Sequence, residues 1–435
     1  MKSLCPICGR LVENSETVEG ENVYLDKTCP EHGPTRTLAS SDAEYWKEAL
    51  KYNRPGTSPL VWSSQIDKGC PDDCGICSAH KQHTCVGVME ITGQCNLNCN
   101  ICFADAPSGS HVPFDQISRM IDAYVSYEVE PELLQLSGGE PTLHPDILEI
   151  VGYAKTLGIQ DVAVSTNGLR LLEEDFAVEL AKTDPVIYLQ FDTFDSKVSQ
   201  FIRGRDLVNE KKRVVEVCNE LGMTTVLVPT LIKGINDHEI GKLVHYALAQ
   251  KKVFGVNFQP VALTGRIGVP EISAISLPKV LNAIEIQTNG ILEKSDFRPI
   301  PCPHPHCTAI SYVLVDDHEV TPLTDIVNVD EYIDYARDRT LVKEAVLMDE
   351  AFKSLFSTRA VPGTESNLEA FCDACGMTIP EVIGKSVKIV SVHAFMDRQT
   401  YQIERAQKCC IHIIQPDGKM IPFCNYNMFR RHQEG

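Results

Sequence analysis

Eighteen cysteines, most of them in tightly spaced groups, constrain this 435-residue chain more than any other feature. Their meaning depends on compartment. The opening stretch, MKSLCPICGR, lacks the apolar core of a secretory signal. A cytoplasmic location is therefore expected, where thiols stay reduced and clustered cysteines hold metals rather than disulfides. The hydrophobic fraction of 43% and charged fraction of 23% are those of an ordinary globular sequence. No apolar run approaches the roughly 20 residues of a membrane span. A formal net charge of -19 opposes attraction to nucleic acid, so no nucleic-acid partner is expected. Single cores stop growing near about 250–300 residues, so more than one domain is predicted.

Spacing sorts the cysteines. Cys5, Cys8, Cys29 and His32, in CPICG and CPEHG, supply two knuckles for a closed tetrahedral site that suits either structural zinc or a rubredoxin-like iron. Cys70, Cys74, Cys77 and Cys85 have the density of a ferredoxin-type cluster loop, with a second zinc site as the alternative. His80 and His83 in that loop are expected to be solvated or supporting groups, because four thiolates already complete a cluster. Cys218 continues the apolar stripe of a helix ended by Gly222 and reads as core.

Cys95, Cys99 and Cys102, in CNLNCNIC, stand apart because no fourth cysteine follows in the loop. A cubane gripped by three thiolates keeps one iron open, the mark of a catalytic rather than a structural metal. S-adenosylmethionine (SAM) can occupy that position through its amino and carboxylate groups, and reductive cleavage there yields a carbon-centred radical. The setting agrees. Strand VGVMEIT leads into the loop, and LLQLSGGEPTL ends another strand in Gly138, Gly139 and Glu140. Further strand–helix units follow through TTVLVPTL (Thr224 to Leu231) and GVNFQPV (Gly255 to Val261), which predicts a parallel sheet with ligand sites at the carboxyl ends of its strands.

The cysteine loop, the GGEP turn and this alternation resemble the radical SAM superfamily. The resemblance implies an α/β fold, a partial (β/α)6 barrel with Phe103 beside the cluster and Gly138, Gly139 and Glu140 meeting the methionine amino group. Ser165, Thr166, Asn167, Gln190 and Asp192 become candidates for the ribose and carboxylate of SAM, although strand-end hydrogen bonding explains them nearly as well. The expected division is a metal-knuckle domain over 1–45, a cluster-bearing segment over 46–85, the barrel over 86–295 and a C-terminal auxiliary-cluster domain over 296–435.

In that last part, KCCIHIIQPDGKMIPFC reads as a hairpin turning at Pro416, Asp417 and Gly418. Cys302, Cys307, Cys409 and Cys424 are the expected auxiliary set, with Cys410, Cys372 and Cys375 as substitutes. The tail and the knuckles together are similar to the branch containing archaeal tetraether lipid synthase and proteins described as 7,8-dihydro-6-hydroxymethylpterin dimethyltransferase. That resemblance implies two auxiliary 4Fe-4S clusters beside the radical one, a mononuclear iron or zinc, and an electron donor such as a ferredoxin or flavodoxin. The first expectation for activity is joining of lipid alkyl chains at unactivated carbon, with peripheral membrane contact left open. Radical methylation of a pterin is the alternative. A multi-cluster electron carrier is the third reading, weakened because a carrier has no need of an open iron.

Overall fold

The structure is a computed structural model describing residues 1–106, 109–269, 272–315, 319–325, 329–331 and 386–431. Cys372 and Cys375 lie outside the described residues.

Four antiparallel strands open the chain: β1 (Lys2–Leu4), β2 (Leu11–Glu19), β3 (Asn22–Cys29) and β4 (Gly33–Ser40). The two knuckles are the turns between them. CPICG closes β1 on β2, with the Gly9 amide bonded to the Cys5 carbonyl, and CPEHG closes β3 on β4, where Cys29 pairs with Gly33. Gly9 and Gly33 both sit at φ +72°, where a side chain would be strained.

The barrel follows the expected register. Strands β5 (Val86–Thr92), β7 (Leu133–Gly138), β8 (Asp161–Thr166), β9 (Val186–Leu189), β10 (Thr225–Leu227) and β12 (Val253–Pro260) lie side by side, each parallel to the next. The short β6 (Ile101–Cys102) leaves the cysteine loop. The predicted strand over Thr224 to Leu231 is broken, because Pro229 has no amide to donate and the chain resumes as β11 (Thr230–Leu231) against β12.

Alternation along the strands separates two faces. Leu134, Leu136, Val162 and Val164 face helices Phe114–Tyr127 and Ile147–Thr156, packing on Ile117, Ile121, Ile150 and Val151. Each such side chain contributes about 1.5–3 kcal/mol when fully buried. The opposite face is the barrel interior, apolar at its base with Leu133, Ala163, Val186 and Val226. Toward the carboxyl ends of the strands the same face carries Gln135, Ser165, Gln190 and Asn257.

The C-terminal third closes both open edges of this sheet. Beyond β12 come the short β13 (Arg266–Ile267), which pairs with β6, and β14 (Arg298–Pro299), β15 (Thr308–Val315) and β16 (Val320–Pro322). On the β12 edge, β17 (Ser386–His393) adds in parallel and β15 packs antiparallel against it. On the β5 edge the predicted hairpin forms β18 (Ile411–Ile414) and β19 (Met420–Pro422), and β18 runs parallel to β5 with Ile411 opposite Val86. Edge strands left open invite pairing with other chains, and here both are covered from within. The segment before the hairpin carries the N-terminal sheet. Lys27 Nζ donates to the Gln399 carbonyl at 2.6 Å and Leu4 packs with Met396 and Tyr401.

Candidate active site and metal centres

The cysteine loop leaves β5 at the carboxyl end of the barrel and is tied directly to the glycine turn that ends β7. The Gly139 amide donates to the Thr92 carbonyl and the Glu140 amide to the Gln94 carbonyl, both at 2.7 Å. A Cβ on Gly138 would stand 2.2 Å from the Thr92 oxygen, and one on Gly139 would stand 2.1 Å from the Gln94 oxygen. The glycines are thus required by the close approach of the chain's own cysteine loop, whatever they offer a ligand.

Cys95, Cys99 and Cys102 pack around Leu97, Leu169 and Leu207. Burial, followed by the charges of Glu140, Cys99 and Cys102, pushes the Cys95 thiol up to about 11. Like charge on neighbouring thiols opposes their ionisation, and a positive metal core would reverse that. Three guanidinium groups surround the loop: Arg203 donates to the Ile101 carbonyl at 3.2 Å, Arg266 to Cys99 at 3.1 Å, and Arg431 to Ala104 at 3.2 Å. Their charge and the donor set fit an anionic iron–sulfur cluster held by three thiolates.

The candidate SAM residues form one connected network. Glu140 is buried, and its carboxylate already accepts from the Thr142 amide and hydroxyl, the Thr166 hydroxyl and the Asn167 amide at 2.6–3.1 Å. These bonds fasten the glycine turn to the strand end at Thr166 and Asn167. Asn167 Nδ2 donates to Asn96 Oδ1 at 2.7 Å, which fastens β8 to the cysteine loop. Gln135 donates to the Ser165 hydroxyl at 2.7 Å. Asp192 accepts from Gln190 Nε2 and the Thr230 amide, besides two nitrogens of Arg203. Lys211 is buried and donates to the Asn167 carbonyl and, at 3.2 Å, to Gln190 Oε1. Burial lowers its pKa from 10.5 to about 8, against the opposing charge of Asp192.

Arg203, Lys211, Arg266 and Arg431 were not among the expected site residues. Arg203 and Lys211 look like ordinary helix charges in FIRGRD and VNEKKRVV. The one available signal is Gly204, whose φ of +82° lets the helix end rest against Asn98 of the cysteine loop.

Phe103 reaches away from the loop toward the C-terminal segment. Its ring centroid lies 5.4 Å from that of Phe395 and 5.5 Å from that of Phe423, and Phe395 stacks edge-on to His393 at 4.5 Å. Cys424 follows Phe423. Cys424 and Cys307 add their charges to the burial that raises Cys409, and Arg405 donates to Cys307 at 3.2 Å and 3.4 Å.

The remaining cysteines group differently from the expected sets. Cys85 lies not with Cys70 and Cys74 but 3.6 Å from Cys302, and Cys410 completes a buried trio with them. Cys410, expected only as a substitute, therefore stands beside Cys302, whereas Cys409 keeps company with Cys307 and Cys424. The cause is register. Pairing Ile411 with Val86 sets the preceding residues, Cys410 and Cys85, side by side. Cys70 and Cys74 receive hydrogen bonds from Asn425 Nδ2 at 3.6 and 2.9 Å, and Cys77, on the same loop, is half-buried.

In the N-terminal sheet, Cys5, Cys8, Cys29 and His32 meet as expected. Neighbouring ligand atoms lie 3.5–3.9 Å apart, close to the roughly 3.8 Å edge of a tetrahedron with metal–sulfur bonds of about 2.3 Å. His32 lowers the Cys29 thiol to about 6, which favours the ionised ligand.

An open barrel of parallel strands with a three-cysteine loop at their carboxyl ends defines the class. The radical SAM superfamily model matches residues 89–247, and the model described as HMPTM N-terminal zinc ribbon domain matches residues 1–41. The 7,8-dihydro-6-hydroxymethylpterin dimethyltransferase of Methanocaldococcus jannaschii is 32% identical over 480 aligned residues, covering 99% of this chain and 94% of that one. The chain belongs to the radical SAM superfamily, in the family of that relative, with an N-terminal zinc ribbon. The GTP 3',8-cyclase of Aquifex aeolicus is 27% identical over 236 residues, 53% of this chain and 71% of that one. Among solved structures, Streptococcus suis SuiB bound to its precursor peptide SuiA aligns with a TM-score of 0.43 at 20% identity, over 49% of this chain and 47% of that one. Among the described residues no helix is long and apolar enough to cross a membrane.

Proposed function

We propose that this radical SAM enzyme transfers methyl groups to a pterin from a one-carbon donor, either a second SAM or a reduced pterin carrying a one-carbon unit, with 7,8-dihydro-6-hydroxymethylpterin as the acceptor to test first. The carrying observation is likeness over essentially the full length, zinc ribbon included, to a protein named for that activity. The barrel interior supports it. Gln135, Ser165, Gln190 and Asn257 bring amide and hydroxyl groups to the carboxyl ends of the strands, the convergent polar groups that a small heterocycle needs and an alkyl chain does not. Joining of lipid alkyl chains, the first expectation from the sequence, draws no comparable support.

In this reading the cluster on Cys95, Cys99 and Cys102, with SAM on its open iron, supplies the radical chemistry. The protein's part is placement. Asn96 and Asn167 hold the cysteine loop to β8, and the backbone of Gly138 and Gly139 borders the loop where the methionine end of SAM would lie. Ser165 and Gln190, on the same face, would be candidates for its ribose as well as for the pterin. Two auxiliary iron–sulfur clusters belong to the proposal, one on the trio Cys85, Cys302 and Cys410 and one drawing on Cys307, Cys409 and Cys424. An external reductant such as a ferredoxin or flavodoxin would supply electrons.

The test is anaerobic incubation of reconstituted enzyme with SAM, a reductant and the hydroxymethyl dihydropterin, run with and without a reduced pterin carrying a one-carbon unit as the second possible methyl source. Mass spectrometry should find methylated pterin that depends on Cys95. Formation of 5'-deoxyadenosine with the pterin unmodified would reject the substrate while leaving the radical chemistry intact.

A further inference from the structure

The trio Cys85, Cys302 and Cys410 supplies three ligands from three distant stretches of chain. All three thiols are buried, at 1%, 6% and 4% exposure. Iron–sulfur and zinc centres take four ligands when structural. The side chains around the trio are therefore the place to look for another.

We infer that His83 is the fourth protein ligand of the metal centre built on Cys85, Cys302 and Cys410, and that Glu128 orients its imidazole. The inference rests on the reading of that trio as an iron–sulfur site and is independent of the pterin assignment. His83 Nε2 lies 3.9 Å from Cys85 Sγ. The other ring nitrogen, Nδ1, lies 2.9 Å from Glu128 Oε2. A carboxylate accepts only, so the ring proton sits on Nδ1, and Nε2, the nitrogen nearest the Cys85 thiol, keeps its lone pair. A carboxylate behind a histidine in this way is the usual support of a metal-bound imidazole, fixing the tautomer and raising basicity.

The backbone holds the pair in place. The other Glu128 oxygen accepts from the Thr84 amide at 2.9 Å, and the His83 amide donates to the Thr57 carbonyl at 2.8 Å. Glu128 itself follows helix Phe114–Tyr127 directly, so the barrel's own helix positions the carboxylate. A second nitrogen source lies nearby. His412 Nε2 is 3.0 Å from His80 Nε2, which in turn is 2.8 Å from the Cys409 carbonyl. His80 Nε2 donates to the Cys409 carbonyl and His412 Nδ1 has no hydrogen-bond partner among the described residues, whereas the ring contact to a thiol of the trio is made by His83.

The test uses full-length protein carrying Cys95→Ala, Cys99→Ala and Cys102→Ala, so that the radical cluster and its SAM nitrogen are absent. The protein is labelled with [15N]histidine, reconstituted with iron and sulfide, reduced, and measured by electron–nuclear double resonance with parallel iron analysis. The expected result is a strongly coupled histidine nitrogen on a signal that Cys302→Ser abolishes. His83→Cys should keep the iron and lose the coupling, and Glu128→Gln should keep the coupling with an altered size. A Cys302-dependent signal without strong histidine coupling overturns the inference without any His83 variant. Coupling that survives His83→Cys overturns it in favour of His412 or His80. Iron content unaffected by Cys302→Ser would remove the centre itself, and His83's role with it, while leaving the pterin assignment untouched.

Discussion

Arg203 meets Asp192 as a planar fork, with Nε 2.7 Å from one carboxylate oxygen and Nη2 2.7 Å from the other. Both side chains are nearly excluded from solvent, at 10% and 4% exposure. The same guanidinium reaches the Ile101 carbonyl, so one ion pair joins the end of β9 to the cysteine loop. Removing one member of a buried pair strands the other charge, at a cost of about 3–5 kcal/mol. Arg203→Met is expected to lower the melting temperature and the iron bound at the radical cluster. Arg203→Lys keeps the charge but not the fork and should fall between. Thermal melts with iron analysis check both.

Gly139→Ala is expected to separate the glycine turn from the cysteine loop, because the new Cβ meets the Gln94 carbonyl carbon as well as its oxygen. Overpacking of this kind costs about 1–3 kcal/mol. Iron at the radical cluster and 5'-deoxyadenosine production should fall while ribbon zinc is retained. Gly152, inside helix Ile147–Thr156 with open space at its Cβ, is the control. Gly152→Ala should stabilise by about 0.5–1 kcal/mol.

Lys211 predicts a pH dependence. Its pKa in the folded protein is about 8, below the ordinary 10.5. Between those values the unfolded chain binds the extra proton and the native one does not, so this residue makes stability rise as pH increases from about 8 to 10.5. Denaturant midpoints measured across that window should climb less steeply in Lys211→Met than in the parent. The difference between the two proteins removes the thiols that titrate in the same range.

Metal removal should act locally at first. The ribbon is held by its four ligands, and it docks on the tail through Lys27, Thr37 and Ser3, which donate to backbone carbonyls of residues 398–401. Chelation of its zinc is expected to raise amide exchange throughout residues 2–40 and at residues 398–402, leaving the barrel strands protected. Cys8→Ser should reproduce that pattern, and hydrogen-exchange mass spectrometry reads it.

Much of this architecture was legible because its signals are local. CNLNCNIC, SGGEP and the two knuckles each carry their geometry within a few residues, and the strand–helix alternation gave the barrel order. Spacing failed for Cys85 and Cys410. Their proximity depends on β18 pairing with β5, and no local pattern announces a strand that adds to a distant edge in parallel. Burial was equally hidden. Lys211 and Arg203 have the composition of solvated helix faces, and only the packing of helices Val208–Leu221 and Ser196–Arg203 against the strand ends reveals them as interior groups. Glu140 was recognised as a site residue, but its engagement by four protein donors depends on the Thr166–Asn167 strand end arriving beside it.

The Cys85 trio also sets an order of assembly. Cys85 must wait for Cys302, 217 positions later, and then for Cys410 on the hairpin that seals the sheet. Translation supplies the N-terminal part first, so a growing chain exposes an unpaired β5 edge and a solitary thiol until its final strands emerge. A metal held by all three thiols could therefore be loaded only late in biogenesis, at the same step that shuts the barrel's side.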